Sequence, residues 1–254
     1  FKCDLCVGDV PAPTNGGKKY TFKIRKGVKW HKISDARKTS PELKAMTKLV
    51  GGKELNAHDV VATFKKIVNP MKGVVSARKA FFLMVDKISA PDNNTVVFDL
   101  KYPSGAFIPA LAMPYNFVYA KKILDKNMHF FEKNVLGSGP FQFVEWQPGS
   151  HINAERNPNY YYKGKPYLDG TSAIFAKKYS VNLQAIRGGR AYIQFRGFPP
   201  KNRDDLVKAM GSKLTVQESD WNCVLNVTPN NKAKPFDDVR VRRALTLAID
   251  RWGG

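Results

Sequence analysis

The 254-residue chain carries 42 Lys and Arg against 21 Asp and Glu, a formal charge of +21, with 43% hydrophobic and 25% charged residues. These proportions exclude wholesale disorder, collagen-like repeats and coiled coil, and leave room for one large domain or two ordinary ones. The longest apolar run, Ala106–Ala112, contains Pro109 and falls far short of the about 20 residues a membrane-spanning helix needs.

In chain order, residues 1–17 are loop-like, with Pro11, Pro13 and the turn signal Asn15-Gly16-Gly17. Tyr20, Phe22 and Ile24 alternate with polar neighbours, the period of a half-buried strand, and Lys26-Gly27 turns it into Val28–Trp30. Residues 32–53 are polar and Lys-rich and read as an inserted excursion with a short helix from Pro41 to Leu49. Asn56 caps a predicted helix to Val68, with Val60, Phe64, Ile67 and Val68 on one face, and Asn69-Pro70 ends it. A second helix is expected over Ser76–Met84. Val85–Ile88 and Thr95–Leu100 read as paired strands around the turn cluster Ala90-Pro91-Asp92-Asn93-Asn94.

From Pro103 to Asn134, Pro is mixed with apolar and aromatic residues, which predicts short helices and connecting loops. Phe141–Trp146 and His151–Arg156 flank Gln147-Pro148-Gly149-Ser150 as a hairpin. Lys177–Arg187 suits a helix stopped by Gly188-Gly189. Asp204–Met210 is expected as a short helix, and Leu214–Gln217 and Asn222–Thr228 as strands. A last helix starts at Asp237, with two carboxylates at the positive end of its dipole and an inner face of Val241, Ala244, Leu245 and Ala248. The class is mixed α/β.

The charge surplus speaks for attraction to anionic surfaces, whether nucleic acid, lipid or an acidic ligand, or simply for a solvated exterior. The basic residues form no single block and accompany no zinc-finger or RNA-recognition motif, which favours the solvated exterior. Cys3-Asp4-Leu5-Cys6 has the spacing of a metal knuckle, a redox pair or a local disulfide. No second pair follows, so no metal is expected; Cys223 has no obvious mate. No serine-hydrolase elbow, metalloprotease motif or phosphate loop is present. Gly137-Ser138-Gly139-Pro140 is Gly-rich, but Pro140 lacks an N–H and no Lys follows, so it does not read as a phosphate cradle. His31, His58, His129 and His151 stand alone in the sequence and read as surface or structural residues. A hydrolase would instead place one of them within reach of a Ser or Cys in a cleft. Tyr115, Asn116 and Phe117, and Trp221, Asn222 and Cys223, combine aromatics with amides. That combination suits either a cleft for a flexible organic ligand or ordinary core packing.

Several stretches together resemble the peptide/nickel class of extracytoplasmic solute-binding proteins that serve ABC importers. They are Tyr20-Thr-Phe-Lys-Ile-Arg-Lys-Gly-Val-Lys-Trp-His31, Leu55-Asn-Ala-His-Asp-Val-Val61 and Ala90-Pro-Asp-Asn-Asn-Thr-Val-Val-Phe98. Gly137-Ser-Gly-Pro-Phe141, Asn157-Pro-Asn-Tyr160, Gly164-Lys-Pro-Tyr-Leu-Asp169 and Pro235-Phe-Asp-Asp-Val-Arg-Val-Arg-Arg-Ala-Leu245 follow in the family's order. Two departures stand out. Residues 32–52 intervene where the family passes directly to a helix, and Gly189-Arg190-Ala191-Tyr192 lacks the family's carboxylates.

The resemblance implies a periplasmic-binding-protein-like type II fold. Residues 1–17 would be an irregular segment, residues 18–135 and 136–234 two subdomains of lobe I, and residues 235–254 a stub of lobe II. It implies a truncated or processed chain whose peptide binding is weak or absent because one side of the cleft is open. It also implies capture of a peptide or related small solute between two lobes, hinge closure, and delivery to ABC permease subunits without catalysis. No cofactor and no nucleic acid are expected, and the protein would be a monomer outside the cytoplasm, periplasmic or membrane-associated. The matching positions put Tyr115, Asn116, Ser138, Gly139, Trp221, Asn222 and Cys223 on the ligand.

Overall fold

Strand β1, Lys19–Lys23, forms because its alternating residues meet different environments: Tyr20 is buried, Phe22 half-buried, and Thr21 and Lys23 face solvent. The computed structural model describes residues 1–218 and 227–250. It divides into two units, Phe1–Gln194 and Phe195–Gly254.

In the first unit, β1 pairs antiparallel with β3 (Thr95–Leu100), which pairs with β2 (Val85–Asp92), giving the order β1-β3-β2. The β2–β3 turn is closed by Asp92, whose carboxylate accepts from the Asn94 N–H at 2.7 Å and the Thr95 hydroxyl at 2.8 Å. Phe98 on the central strand carries the core: its ring stands 5.3 Å from that of Phe64, 5.2 Å from Phe107 and 5.9 Å from Phe22. Phe64 belongs to α2 (Ala57–Val68) and Phe107 to α3 (Phe107–Ala112), so one side chain joins the sheet to two helices.

The predicted excursion is a closed loop. Gly52 N–H donates to the Trp30 carbonyl at 2.9 Å and ties its ends, and Leu55 N–H donates to the Val28 carbonyl at 2.7 Å. Val28 and Trp30 therefore run beside residues 53–55, joined by a single bridge between Lys29 and Glu54 rather than as a strand. Within the loop, α1 (Pro41–Val50) begins on a Ser40 cap with Pro at its first position and buries Leu43 and Val50. It packs against α4, Lys121–Lys126.

The helix expected over Ser76–Met84 is a correction: only a 3-10 turn, Lys79–Phe82, forms. Phe82 and Met84 are buried while Phe81 and Leu83 are exposed. Burial at positions two apart does not fit one face of an α-helix, and the turn gives way to β2 at Val85.

A second sheet, β4-β5-β6, comprises Phe141–Gln147, His151–Arg156 and Gly170–Ile174. Gly149 takes φ +75° in the hairpin loop, as its turn chemistry requires. Strand β6 is absent from the sequence reading. It opens on Gly170, where a Cβ would lie 2.7 Å from the Ala154 carbonyl oxygen, so only glycine admits this approach. All five of its residues are exposed, and among the described residues no strand pairs with its far side. Helix α5 (Tyr179–Arg187) ends at Gly188 as predicted. Cys3 and Cys6 are joined as a disulfide, which sets aside the metal-knuckle alternative.

In the second unit, α6 runs Pro200–Met210, starting four residues before the expected Asp204 because Pro200 occupies its first turn. Leu214–Gln217 is not a strand; its residues find no partner strand among those described and are mostly exposed. The strand expected over Asn222–Thr228 lies mostly outside the described residues, and Val227 and Thr228 are irregular. Helix α7, Val239–Ala248, starts on an Asp238 cap that accepts from the Arg240 N–H at 2.8 Å. Its expected inner face is not buried: Val241 and Leu245 are partly covered, and Ala244 and Ala248 are exposed.

Candidate functional site

Of the predicted ligand residues, Trp221, Asn222 and Cys223 lie outside the described residues. The other four fall into two groups, which share no hydrogen bond or ring contact among the described residues.

The first group is built on the end of α3. Helix α3 stops at Met113-Pro114, and the Asn116 side-chain amide donates to the carbonyls of Ala110 at 2.7 Å, Leu111 at 3.2 Å and Met113 at 3.2 Å. Asn116 is thus a helix C-terminal cap, with its donors turned to backbone that the helix leaves unpaired. Its Oδ1 is buried without a partner. Tyr115, immediately before it, sits at φ +80°, a conformation costing a bulky residue on the order of 1 kcal/mol. The ring is 59% exposed, and the Arg78 guanidinium carbon lies 4.4 Å from its centroid.

The second group centres on Gly137-Ser138-Gly139. The carbonyl of Gly139 accepts from His31 Nε2 at 2.9 Å and from Asn157 Nδ2 at 2.9 Å. The His31 N–H donates to the Gly137 carbonyl at 2.8 Å, and Asn157 N–H to Pro140 at 2.8 Å. Two buried polar side chains, His31 before it and Asn157 after it in the chain, therefore hold this Gly-rich turn. The excursion adds a third hold: Arg37 donates to the Val135 carbonyl at 2.7 Å and stacks 4.6 Å from the Phe143 ring. Ser138 is half-buried and makes no hydrogen bond among the described residues.

Burial holds His31 below the usual imidazole pKa, with the Gly139 carbonyl opposing in part, so it is neutral with the proton on Nε2. A depressed pKa means that His31 contributes stability above its unfolded-state pKa of about 6.5, and that this stability is lost as pH falls from there through the folded value. Urea titrations at pH 7.5 and 5.5 are expected to show a lower midpoint at pH 5.5. His31→Gln, which keeps a donor but cannot charge, is expected to narrow that difference. An unchanged difference would remove His31 as its source.

His151 also has partners, which the sequence reading did not anticipate. Its Nδ1 lies 2.9 Å from the Ser150 hydroxyl and its Nε2 3.1 Å from Glu145 Oε1; the His151 bond, with one from the Asn153 amide, pulls the Glu145 carboxyl below its ordinary pKa. The distances suit a serine nucleophile, but the contacts sit on the solvent-exposed β4–β5 hairpin rather than in a cleft. A groove of about 520 Å³ between α2, β2 and α4 is lined by His58, Lys65, Lys87, Ile88 and Leu124 among others, and contains none of the predicted ligand residues. No group of three or more His, Cys, Asp or Glu fit to hold a metal occurs among the described residues, and no helix there is long and apolar enough to cross a membrane.

A mixed α/β chain with two antiparallel sheets and backbone-pinned loops at the positions matched above fits the type II periplasmic binding proteins. The chain belongs to the bacterial extracellular solute-binding proteins, family 5 Middle, whose pattern matches residues 11–252. Its relatives include the dipeptide-binding protein of Escherichia coli (strain K12), 29% identical over 250 residues that cover 92% of this chain and 43% of that protein. The oligopeptide-binding protein AppA of Bacillus subtilis (strain 168) is 29% identical over 243 residues, 93% of this chain and 40% of AppA.

The solved structure of AppA in complex with a nonapeptide superposes with a TM-score of 0.69 at 28% identity, covering 98% of this chain and 45% of AppA. The dipeptide-binding protein of Pseudoalteromonas sp. SM9913 shares the fold, with a TM-score of 0.67 at 20% identity over 97% of this chain and 48% of that protein. The chain thus spans less than half the length of these relatives.

Proposed function

We propose that this chain is part of the solute-binding component of an ABC importer, and that it supplies one wall of a cleft that captures peptides for a membrane permease. The observation that carries this reading is the family match over residues 11–252, joined to the likeness over 98% of the chain to a structure holding a nonapeptide. In this reading residues 18–135 and 136–234 are the two parts of one lobe, and residues 235–254 lead into the other. The two separate sheets, one built from residues 19–100 and the other from 141–174, support a division near residue 135. The protein works outside the cytoplasm as a monomer, binds no nucleic acid and breaks no bond. The Gly137–Gly139 turn and the Tyr115 loop offer shape and polar contacts to such a solute.

A single wall contributes only part of the contact area, so affinity for di- and tripeptides is expected in the millimolar range, about −4 kcal/mol. Saturation-transfer NMR reads such affinities directly. Saturable signals from a panel of tripeptides are the expected result. No signal from any member would sink the reading that this wall holds peptide by itself, and micromolar or tighter binding would contradict the single-wall part of it.

A further inference from the structure

Arg78 is held by aromatic rings alone. Its guanidinium carbon lies 4.4 Å from the Tyr115 centroid and 5.7 Å from that of Phe81. Among the described residues, no carboxylate, carbonyl or hydroxyl pairs with it. Other arginines differ: Arg25 donates to the Asp4 carbonyl, Arg37 to Val135, Arg156 to Asp169 and Arg240 to Asp238.

A guanidinium stacked on a ring face keeps its in-plane N–H groups free, and that planar fork matches a carboxylate in bidentate fashion. The stack also limits the rotamers that a ligand would otherwise have to freeze. Its platform is rigid for a stated reason: Tyr115 is locked at φ +80° between Pro114 and Asn116, whose amide is bound to three carbonyls. Backbone strain of this kind persists only where the surroundings hold it, and it concentrates at functional sites. The two rings beside the cation remain open to solvent, with Phe81 44% and Tyr115 59% exposed. Apolar faces next to an unpaired cation suit a ligand that carries both a hydrocarbon body and a carboxylate.

Building on the solute-capture reading, we infer that Arg78, stacked between Tyr115 and Phe81, binds the carboxylate of the captured solute and makes the chain prefer free-acid peptides over neutral-ended ones.

The test uses the full chain and two probes, tri-alanine and its C-terminal amide, titrated by saturation-transfer NMR at fixed ionic strength. The wild type is expected to bind the acid about fivefold to tenfold more tightly than the amide. Arg78→Gln should erase that preference. Arg78→Lys, which keeps the charge without the planar fork, should retain part of it. Equal affinities in the wild type, or a preference that survives Arg78→Gln, would overturn the assignment while leaving peptide capture intact. If neither probe binds the wild type, capture itself fails and the assignment falls with it. A wild-type acid-to-amide ratio of one overturns the assignment even if a variant folds poorly.

Discussion

Phe98→Ala is expected to lower the unfolding free energy by about 4 kcal/mol, read from the urea midpoint with an unchanged slope. Phe98 is 2% exposed and sits on β3, the central strand of its sheet. It pairs with Tyr20 on β1 and Ile88 on β2, and meets the rings of Phe22, Phe64 and Phe107 edge-on. Truncation removes the transfer energy of the ring and leaves a void facing three other aromatics, which cannot collapse into it without moving both α2 and the start of α3. Phe98→Leu should recover a good part of the loss, because it refills most of the volume without the edge-to-face contacts. A loss below about 1.5 kcal/mol for Phe98→Ala would mean that the surroundings relax and that the aromatic cluster is not the keystone of this core.

Asp59→Ala is expected to cost about 3 kcal/mol, for a polar reason. Asp59 is buried at the third position of α2, and its Oδ2 accepts from the Asn56 N–H at 3.0 Å, completing a capping box. Its Oδ1 accepts from the Lys121 N–H at 2.8 Å, and the Trp30 side chain also bonds to it. Desolvation pushes its carboxyl pKa up, with those donors pulling partly back. A raised pKa means that ionised Asp59 weighs against the fold as pH rises through it, so removing the charge by itself gives something back. Against this, alanine leaves three donors, two of them only partly buried, without an acceptor, each costing about 1 kcal/mol, and the unpaired donors win. Asp59→Asn keeps an acceptor without the charge and should fall between wild type and alanine. If alanine matches asparagine in urea titration, the contacts are not what stabilises this corner.

The elements that the residues announced are those with local grammar. Asn56 and Ser40 are caps whose helices follow as spaced, and the Pro-Gly-Ser loop after Gln147 makes its hairpin. The disagreements fall where tertiary context outweighs local preference. Ser76–Met84 has helix-forming residues, yet positions two apart face different sides of an α-helix, so burying both Phe82 and Met84 keeps the turn from continuing as one. Gly170-Thr-Ser-Ala-Ile has neither alternation nor bulk, and becomes a strand only because β5 presents an edge to it.

At the candidate site the pattern is similar. The positions of Tyr115 and Gly139 came from resemblance, whereas their physical roles did not. Nothing in the spacing showed that Asn116 spends its amide on capping α3, or that His31 and Gly139, 108 residues apart, share a hydrogen bond. Arg78 had no signal at all, because a cation between two rings is assembled from residues 3 and 37 positions away.

Strand β6 leaves one further consequence. Its outer margin presents backbone donors and acceptors to water across five uncharged residues, with none of the lysines or prolines that commonly blunt such a border. Any extended segment brought alongside can satisfy those groups in register. At high concentration a second molecule is the nearest supplier, so where salt screens the +21 charge that otherwise keeps copies apart, self-association by strand addition is expected.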